Sequence, residues 1–318
     1  MQRALQGLRA YQEAKRPADM AKMPMVAELL GASLRDYGGK GVPLLVIPSL
    51  INPPNVLDLA QDNSLLLWLA AHGHHVLLLD WGNDSLRRRA MSVAGHVEQI
   101  IVPMLERIDQ APSVLGYCLG GTMAAAVATI RPVRSLVTLA SPWHFAGYPD
   151  SDRSMLVGLW AQAQLAAASL GLLPMEVLQA AFWNLDPART IAKFESFAGF
   201  EPGSREAQAF VLLEDWANDG PALPEAAARE IFDCFFAADL PGTNAWQVAG
   251  KTIDPARILC PQLHIISATD RIVPAATGFS SGECRVIDQG HVGMIVGSRA
   301  RTGLWEPLDA WLSQLPGR

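Results

Sequence analysis

Ser113-Val114-Leu115-Gly116-Tyr117-Cys118-Leu119-Gly120-Gly121 is the stretch that decides how this chain is read. Ser-Val-Leu has the look of a short buried strand, and the Ala-rich run at 122–131 reads as a helix. Between them, Gly-x-Cys-x-Gly has the spacing of a nucleophile elbow with Cys where Ser usually stands. Strand and helix approach each other closely across such a turn, so small residues are needed beside the thiol. The turn also sets the thiol at a helix N-terminus, where the macrodipole favours thiolate. A buried structural Cys in a Gly-rich turn is an equal reading of these nine residues alone, so the decision rests on the rest of the chain.

Working outward, residues 42–50 and 75–80 read as strands before the elbow, and 135–140, 262–268 and 283–288 as strands after it. Helical patterning falls at 65–71, capped by Asp62-Asn63-Ser64, at 91–109 and at 304–315. Alternating strands and helices predict an α/β protein with a mostly parallel central sheet covered by helices on both faces. Residues 142–255 carry little strand signal and much Ala, Leu and Trp at helical spacing, which reads as a helical cap inserted over the strand C-termini. The expected division is a core of 1–141 and 256–318 with a cap at 142–255; residues 1–35, including 25–34, are expected to be a helical lead-in.

A nucleophile on an elbow needs a base, and the base needs something to orient it. Asp270 closes a strand-like run, and His291 follows the last strand in Asp288-Gln289-Gly290-His291. Nucleophile, acid and histidine thus occur in the chain order of the α/β-hydrolase fold, each at a strand end. Cys118 is expected to attack an acyl carbonyl, His291 to move the proton, and Asp270 to fix the imidazole. The backbone N–H of Leu119 is expected to be one oxyanion donor, with a second from the loop around Ile51 or Asn52. Cys118 should alkylate faster than Cys234, Cys260 or Cys284. His144 could line the pocket, whereas Trp160, Trp183, Trp216 and Trp246 read mainly as cap core.

Composition limits the alternatives. Of 318 residues, 50% are hydrophobic and 18% charged, enough for a sizeable core, and the net charge of −6 comes without a Lys/Arg run. Nucleic acid is not an expected partner. The four cysteines have no paired spacing and His72, His74 and His75 lack partnering ligands, so neither a disulfide framework nor a metal site is expected. His72 to His75 interrupts the apolar run at 65–81, and Gln162, Gln164 and Gly171 interrupt that at 156–173, so no membrane span is expected. Arg3, Arg9, Lys15 and Arg16 precede no apolar segment, so no secretory signal is expected and a cytoplasmic protein is anticipated.

The motifs taken together resemble the polyhydroxyalkanoate synthases. Gly116-Tyr117-Cys118-Leu119-Gly120-Gly121-Thr122 is similar to that family's Cys-containing lipase box. Pro48-Ser49-Leu50-Ile51-Asn52 with Val56-Leu57-Asp58-Leu59, Asp80-Trp81-Gly82-Asn83, Trp183-Asn184-Leu185-Asp186, Asp270-Arg271-Ile272-Val273-Pro274 and Gly290-His291-Val292-Gly293 resemble other family segments in the same order. The resemblance implies transfer of a 3-hydroxyacyl group from CoA, through a Cys118 thioester, onto a polyester hydroxyl. The CoA thioester would be substrate, with no cofactor. It also implies a second synthase subunit or a homodimer as partner, and a place at the surface of a polyester granule. Pro53-Pro54-Asn55 replaces the family's usual Lys and aromatics and Arg271 stands where His is usual, and the chain is expected to be of the short catalytic-subunit type rather than the single-subunit type with its long N-terminal domain. A Cys-nucleophile hydrolase on the same scaffold (depolymerase, thioesterase or esterase) is the alternative, and a non-catalytic granule-binding protein is a third reading.

Overall fold

The computed structural model describes residues 2–17, 20–185 and 187–315, so Asp186 of the Trp-Asn-x-Asp segment lies outside the described residues. The strands of the main sheet are β1 (Met25–Leu29), β2 (Ala32–Asp36), β3 (Pro43–Ile47), β4 (His75–Asp80), β5 (Ser113–Tyr117), β6 (Ser135–Leu139), β7 (Gln262–Ser267) and β8 (Glu283–Ile287). Their spatial order is β1-β2-β4-β3-β5-β6-β7-β8. β1 pairs antiparallel with β2, and β2 antiparallel with β4; every later pairing is parallel.

The helices are α1 (Gln2–Glu13), α2 (Leu65–Ala71), α3 (93–105), α4 (Leu119–Ile130), α5 (Asp150–Leu170), α6 (Met175–Leu185), α7 (Pro187–Phe197), α8 (Arg205–Asn218), α9 (225–237) and α10 (301–314). Side chains alternate across each strand, so a continuous apolar run feeds both faces of the sheet. In β3, Leu45 and Ile47 join Ile100, Met123 and Val127 of α3 and α4 on one face. Leu44 and Val46 join Leu66, Leu69, Leu308 and Leu312 of α2 and α10 on the other. This is the α/β-hydrolase arrangement that the strand order anticipates.

Residues 25–34 depart from expectation. The run is mostly apolar and reads as one helix, but it folds as the β1–β2 hairpin. Leu30 (φ 52°) and Gly31 (φ 78°) both adopt positive φ, as a two-residue hairpin turn requires. Burial of Ala32 and Leu34 beneath the sheet offsets the cost of a bulky residue in the left-handed region. Gly31, in the middle of the run, was the one local signal against a helix.

Helices α5 to α9 lie between β6 and β7, joined by two two-residue strand pairs, Leu172–Leu173 with Leu223–Pro224 and Gln247–Val248 with Lys251–Thr252. Their interior is aromatic: Trp160 stacks on Phe232 at 5.5 Å, and Phe145 meets Phe235 at 5.2 Å. α1 packs on α7 rather than on the sheet. Gly7 makes this possible, since a Cβ there would lie 1.8 Å from the Phe194 carbonyl oxygen. Tyr11 and Arg16 both bind the Asp215 carboxylate of α8, fastening the N-terminal segment to the same block. Among the described residues no helix is long and apolar enough to cross a membrane.

Candidate active site

Cys118 sits between β5 and α4 with φ 55° and ψ −130°, a conformation that costs a non-glycine residue about 1–3 kcal/mol. The surroundings hold it there. Its N–H donates to the Leu139 carbonyl at 2.9 Å, and its carbonyl accepts from Gly121 N–H at 2.9 Å. The flanking glycines are steric necessities: a Cβ on Gly116 would lie 2.3 Å from Gly121 Cα, and one on Gly120 would lie 2.0 Å from the Ile47 carbonyl oxygen. The sequence therefore folds strand, sharp turn and helix with no space left over, and the thiol stands at the crest. Leu119 begins α4, where N–H groups lack intrahelical acceptors.

Asp270 and His291 come from the ends of β7 and β8. The Asp270 side chain is fully buried, and its Oδ1 accepts the backbone N–H groups of Ile272 (2.8 Å) and Val273 (2.9 Å). Its Oδ2 lies 2.7 Å from His291 Nδ1. With Nδ1 engaged there, Nε2 is the remaining ring nitrogen, and His291 and Cys118 line one cavity. Tyr117 braces the ring from below, donating its hydroxyl to the His291 carbonyl at 3.2 Å with ring centroids 5.1 Å apart. Burial works against the imidazolium, but the Asp270 charge and then Cys118 outweigh it and lift His291 to about 10. Imidazole and carboxylate thus stand in contact and the thiol opens on the same cavity, the three residues drawn from three separate strand ends.

Ile51 and Asn52 occupy the loop beyond β3. The Ile51 N–H already donates to Ser49 Oγ at 3.2 Å. The Asn52 carboxamide turns away from the thiol and donates to the carbonyls of Trp216 (3.4 Å) and Asp219 (3.3 Å), tying the loop to α8. Trp216 Nε1 donates back to the Pro53 carbonyl at 2.8 Å, and Trp81 Nε1 to the Pro48 carbonyl at 3.2 Å. Leu119 is the expected oxyanion residue whose N–H stands at the thiol's own helix start; the Asn52 side chain instead holds the loop in place.

Two cavities meet at Cys118. The outer one, about 270 Å³, is lined among others by Ser49, Asn52, Lys193, Glu214, Trp216 and His291. The inner one, about 90 Å³, is lined by apolar cap residues including Leu156, Leu178, Ile231, Phe232 and Phe236. Ile51, Cys118, Arg271 and Ile272 border both. Lys193 and Glu214 form a 2.6 Å ion pair in the outer wall, which nothing in their sequence spacing signals. Trp160 and Trp246 are buried cap core, whereas half-exposed Trp183 and the buried Trp216 line the outer cavity. His144 lines neither. Its N–H and that of Trp143 are both held by the Thr277 carbonyl (2.9 and 2.7 Å), and Pro142, Phe145 and Tyr148 of the same segment face the inner cavity instead. Among the described residues, no cluster of three or more His, Cys, Asp and Glu side chains could hold a metal ion.

No protein-family model matches the chain. It is 27% identical over 296 residues to the poly(3-hydroxyalkanoate) polymerase subunit PhaC of Haloferax mediterranei, covering 86% of this chain and 59% of that protein. It is also 27% identical over 292 residues to the subunit of the same name from Allochromatium vinosum, covering 86% of this chain and 81% of that one. The chain thus spans under two thirds of the first relative's length and most of the second's. Among solved structures, a hydrolase from Oleispira antarctica (TM-score 0.54, 13% identity, 88% and 94% coverage) is similar in fold. So is a monoacylglycerol lipase from Paleococcus ferrophilus (TM-score 0.53, 15% identity, 88% and 98% coverage). The scaffold is that of the α/β hydrolases, and the resemblance read from the motifs extends over most of the chain.

Proposed function

We propose that this homologue of the polyhydroxyalkanoate synthases is an acyltransferase that moves a 3-hydroxyacyl group from CoA, through a thioester on Cys118, to the hydroxyl end of a polyester. The observation that carries the reading is the Asp270–His291 pair at 2.7 Å, with the imidazole and the elbow thiol lining one cavity.

The steps follow from the groups present. Cys118 Sγ, its proton on His291, attacks the acyl carbonyl, and the oxyanion is met by the Leu119 N–H. The carbon–sulfur bond to CoA breaks, and the His291 imidazolium, held to about 10, gives its proton to the departing sulfur. Once Cys118 is acylated it carries no charge, so one of the two influences raising His291 is lost. The neutral imidazole then takes the proton of an incoming hydroxyl, whose oxygen displaces Cys118 and lengthens the ester chain. Exchanging one thioester for another is close to thermoneutral, so the acyl-enzyme waits for its acceptor, and the apolar inner cavity favours an organic hydroxyl over water. Substrate would be the CoA thioester, with no cofactor; the working site would be cytoplasmic, at a granule surface, with a second subunit or a second copy of this chain as partner.

The test is to supply 3-hydroxybutyryl-CoA, with and without a second synthase subunit, and follow CoA and polymer together. Release of CoA with ester-linked oligomer is the expected result. Release with free 3-hydroxybutyrate and no oligomer would replace synthase by hydrolase, and no release under either condition would end both.

A further inference from the structure

Tyr148 is a polar group that the mechanism leaves unused. It follows β6 in the segment that enters the cap, is 8% exposed, and lines the inner cavity together with Cys118 and Leu119. Phe145 stacks on its ring at 6.0 Å and Phe236 meets it at a tilt at 5.1 Å, which fixes the direction of the phenol. Its hydroxyl has no hydrogen-bond partner among the described residues. It is not sealed off either: the occluded unpartnered polar atoms of the protein belong to Asp58, Trp68, Arg88, His96 and Trp160. Burial, with the nearby Cys118 and Asp270 charges, pushes the phenol well above its ordinary value, so it stays an O–H donor throughout the working pH range.

A buried donor without an acceptor is costly, and the cost is relieved when a ligand supplies one. The acyl group on Cys118 has two nearby places for oxygen: the carbonyl, which faces the Leu119 N–H, and the C3 substituent. The other residues of the inner cavity are apolar apart from Cys118, Asp152 and Arg271. We propose that Tyr148 donates to the C3 oxygen of the acyl group, making the inner cavity a subsite selective for 3-oxygenated acyl chains over plain fatty acyl chains of the same length. An acyl chain without that oxygen leaves the phenol unpaired in an apolar space and binds with that penalty.

This inference rests on the acyl-transfer reading, and the experiment separates the two. Single-turnover CoA release is measured with 3-hydroxybutyryl-CoA and with butyryl-CoA, for the wild-type chain and for Tyr148→Phe, which keeps the ring and its stacking. The wild type should prefer the hydroxylated substrate, and in Tyr148→Phe the ratio of the two rates should fall about tenfold. An unaltered ratio, or an equal loss on both substrates, would overturn the role of Tyr148 while leaving acyl transfer standing. CoA release from neither substrate by the wild type would overturn acyl transfer and this inference with it.

Discussion

The two cavities that share Cys118 differ in nearly every respect except the thiol. The outer is about three times the volume and carries Lys193, Glu214, Asn52 and Thr190 in its wall. The inner is walled by Phe232, Phe236, Leu156 and Ile231 from the cap. The outer wall is made from a core loop latched to α8 by polar contacts (Asn52 to Trp216 and Asp219, Trp216 to Pro53), the inner from the interior of the cap itself. A charged, hydrated carrier and an apolar chain need opposite surroundings. On the proposed reading, a thiol at the boundary would let both reach it while each stays in its own medium.

Changes to the thiol and its partners should abolish what both cavities serve. Cys118→Ala is expected to lower CoA release at least ~10⁴-fold with the fold intact, by circular dichroism. Asp270→Asn should cost about 10³- to 10⁴-fold, because the imidazole loses its orienting partner. It should also bring the His291 titration, followed by NMR, down from about 10. The sign for stability follows. Folded His291 binds its proton up to about 10 against an ordinary 6.5, so its contribution is complete below about pH 6.5 and is lost as pH rises from there to about 10. The melting temperature of the wild type should therefore fall over that window more than that of His291→Gln.

Smaller changes separate the cavities. Phe232→Leu enlarges the inner one and should cost about 1–2 kcal/mol in urea unfolding while shifting preference about tenfold toward longer acyl chains. Trp216→Phe removes the donor to Pro53 at the outer wall and should cost about 1 kcal/mol or less, with chain-length preference unchanged. A preference shifted by Trp216→Phe and not by Phe232→Leu would reverse the assignment of the two cavities.

Much of this was legible where the physics is local. The elbow declares itself because Gly116, Gly120 and Gly121 have no room for a side chain, and a demand for glycine at three fixed positions around one thiol shows in the sequence whatever the neighbour that imposes it. The order Cys118, Asp270, His291 carried the rest of the reading, since the topology of a parallel sheet brings its strand ends to one edge. The β1–β2 hairpin was not legible: ten mostly apolar residues fit a helix equally well, and only antiparallel pairing of β2 with β4 decides between them. Nor was the inner cavity, whose lining comes from residues 51 to 273 and includes Tyr148, not the histidine four residues earlier. The latch that the Asn52 carboxamide makes to the carbonyls of Trp216 and Asp219 was not legible either, since its partners lie more than 160 positions away.

The most direct measurement is the mass of the protein stopped during reaction with 3-hydroxybutyryl-CoA and mapped by peptide. The account predicts a 3-hydroxybutyryl adduct on the peptide carrying Cys118, lost on treatment with neutral hydroxylamine and not formed in Cys118→Ala. Steady CoA release with Cys118 never acylated, or undiminished release by Cys118→Ala, would contradict it.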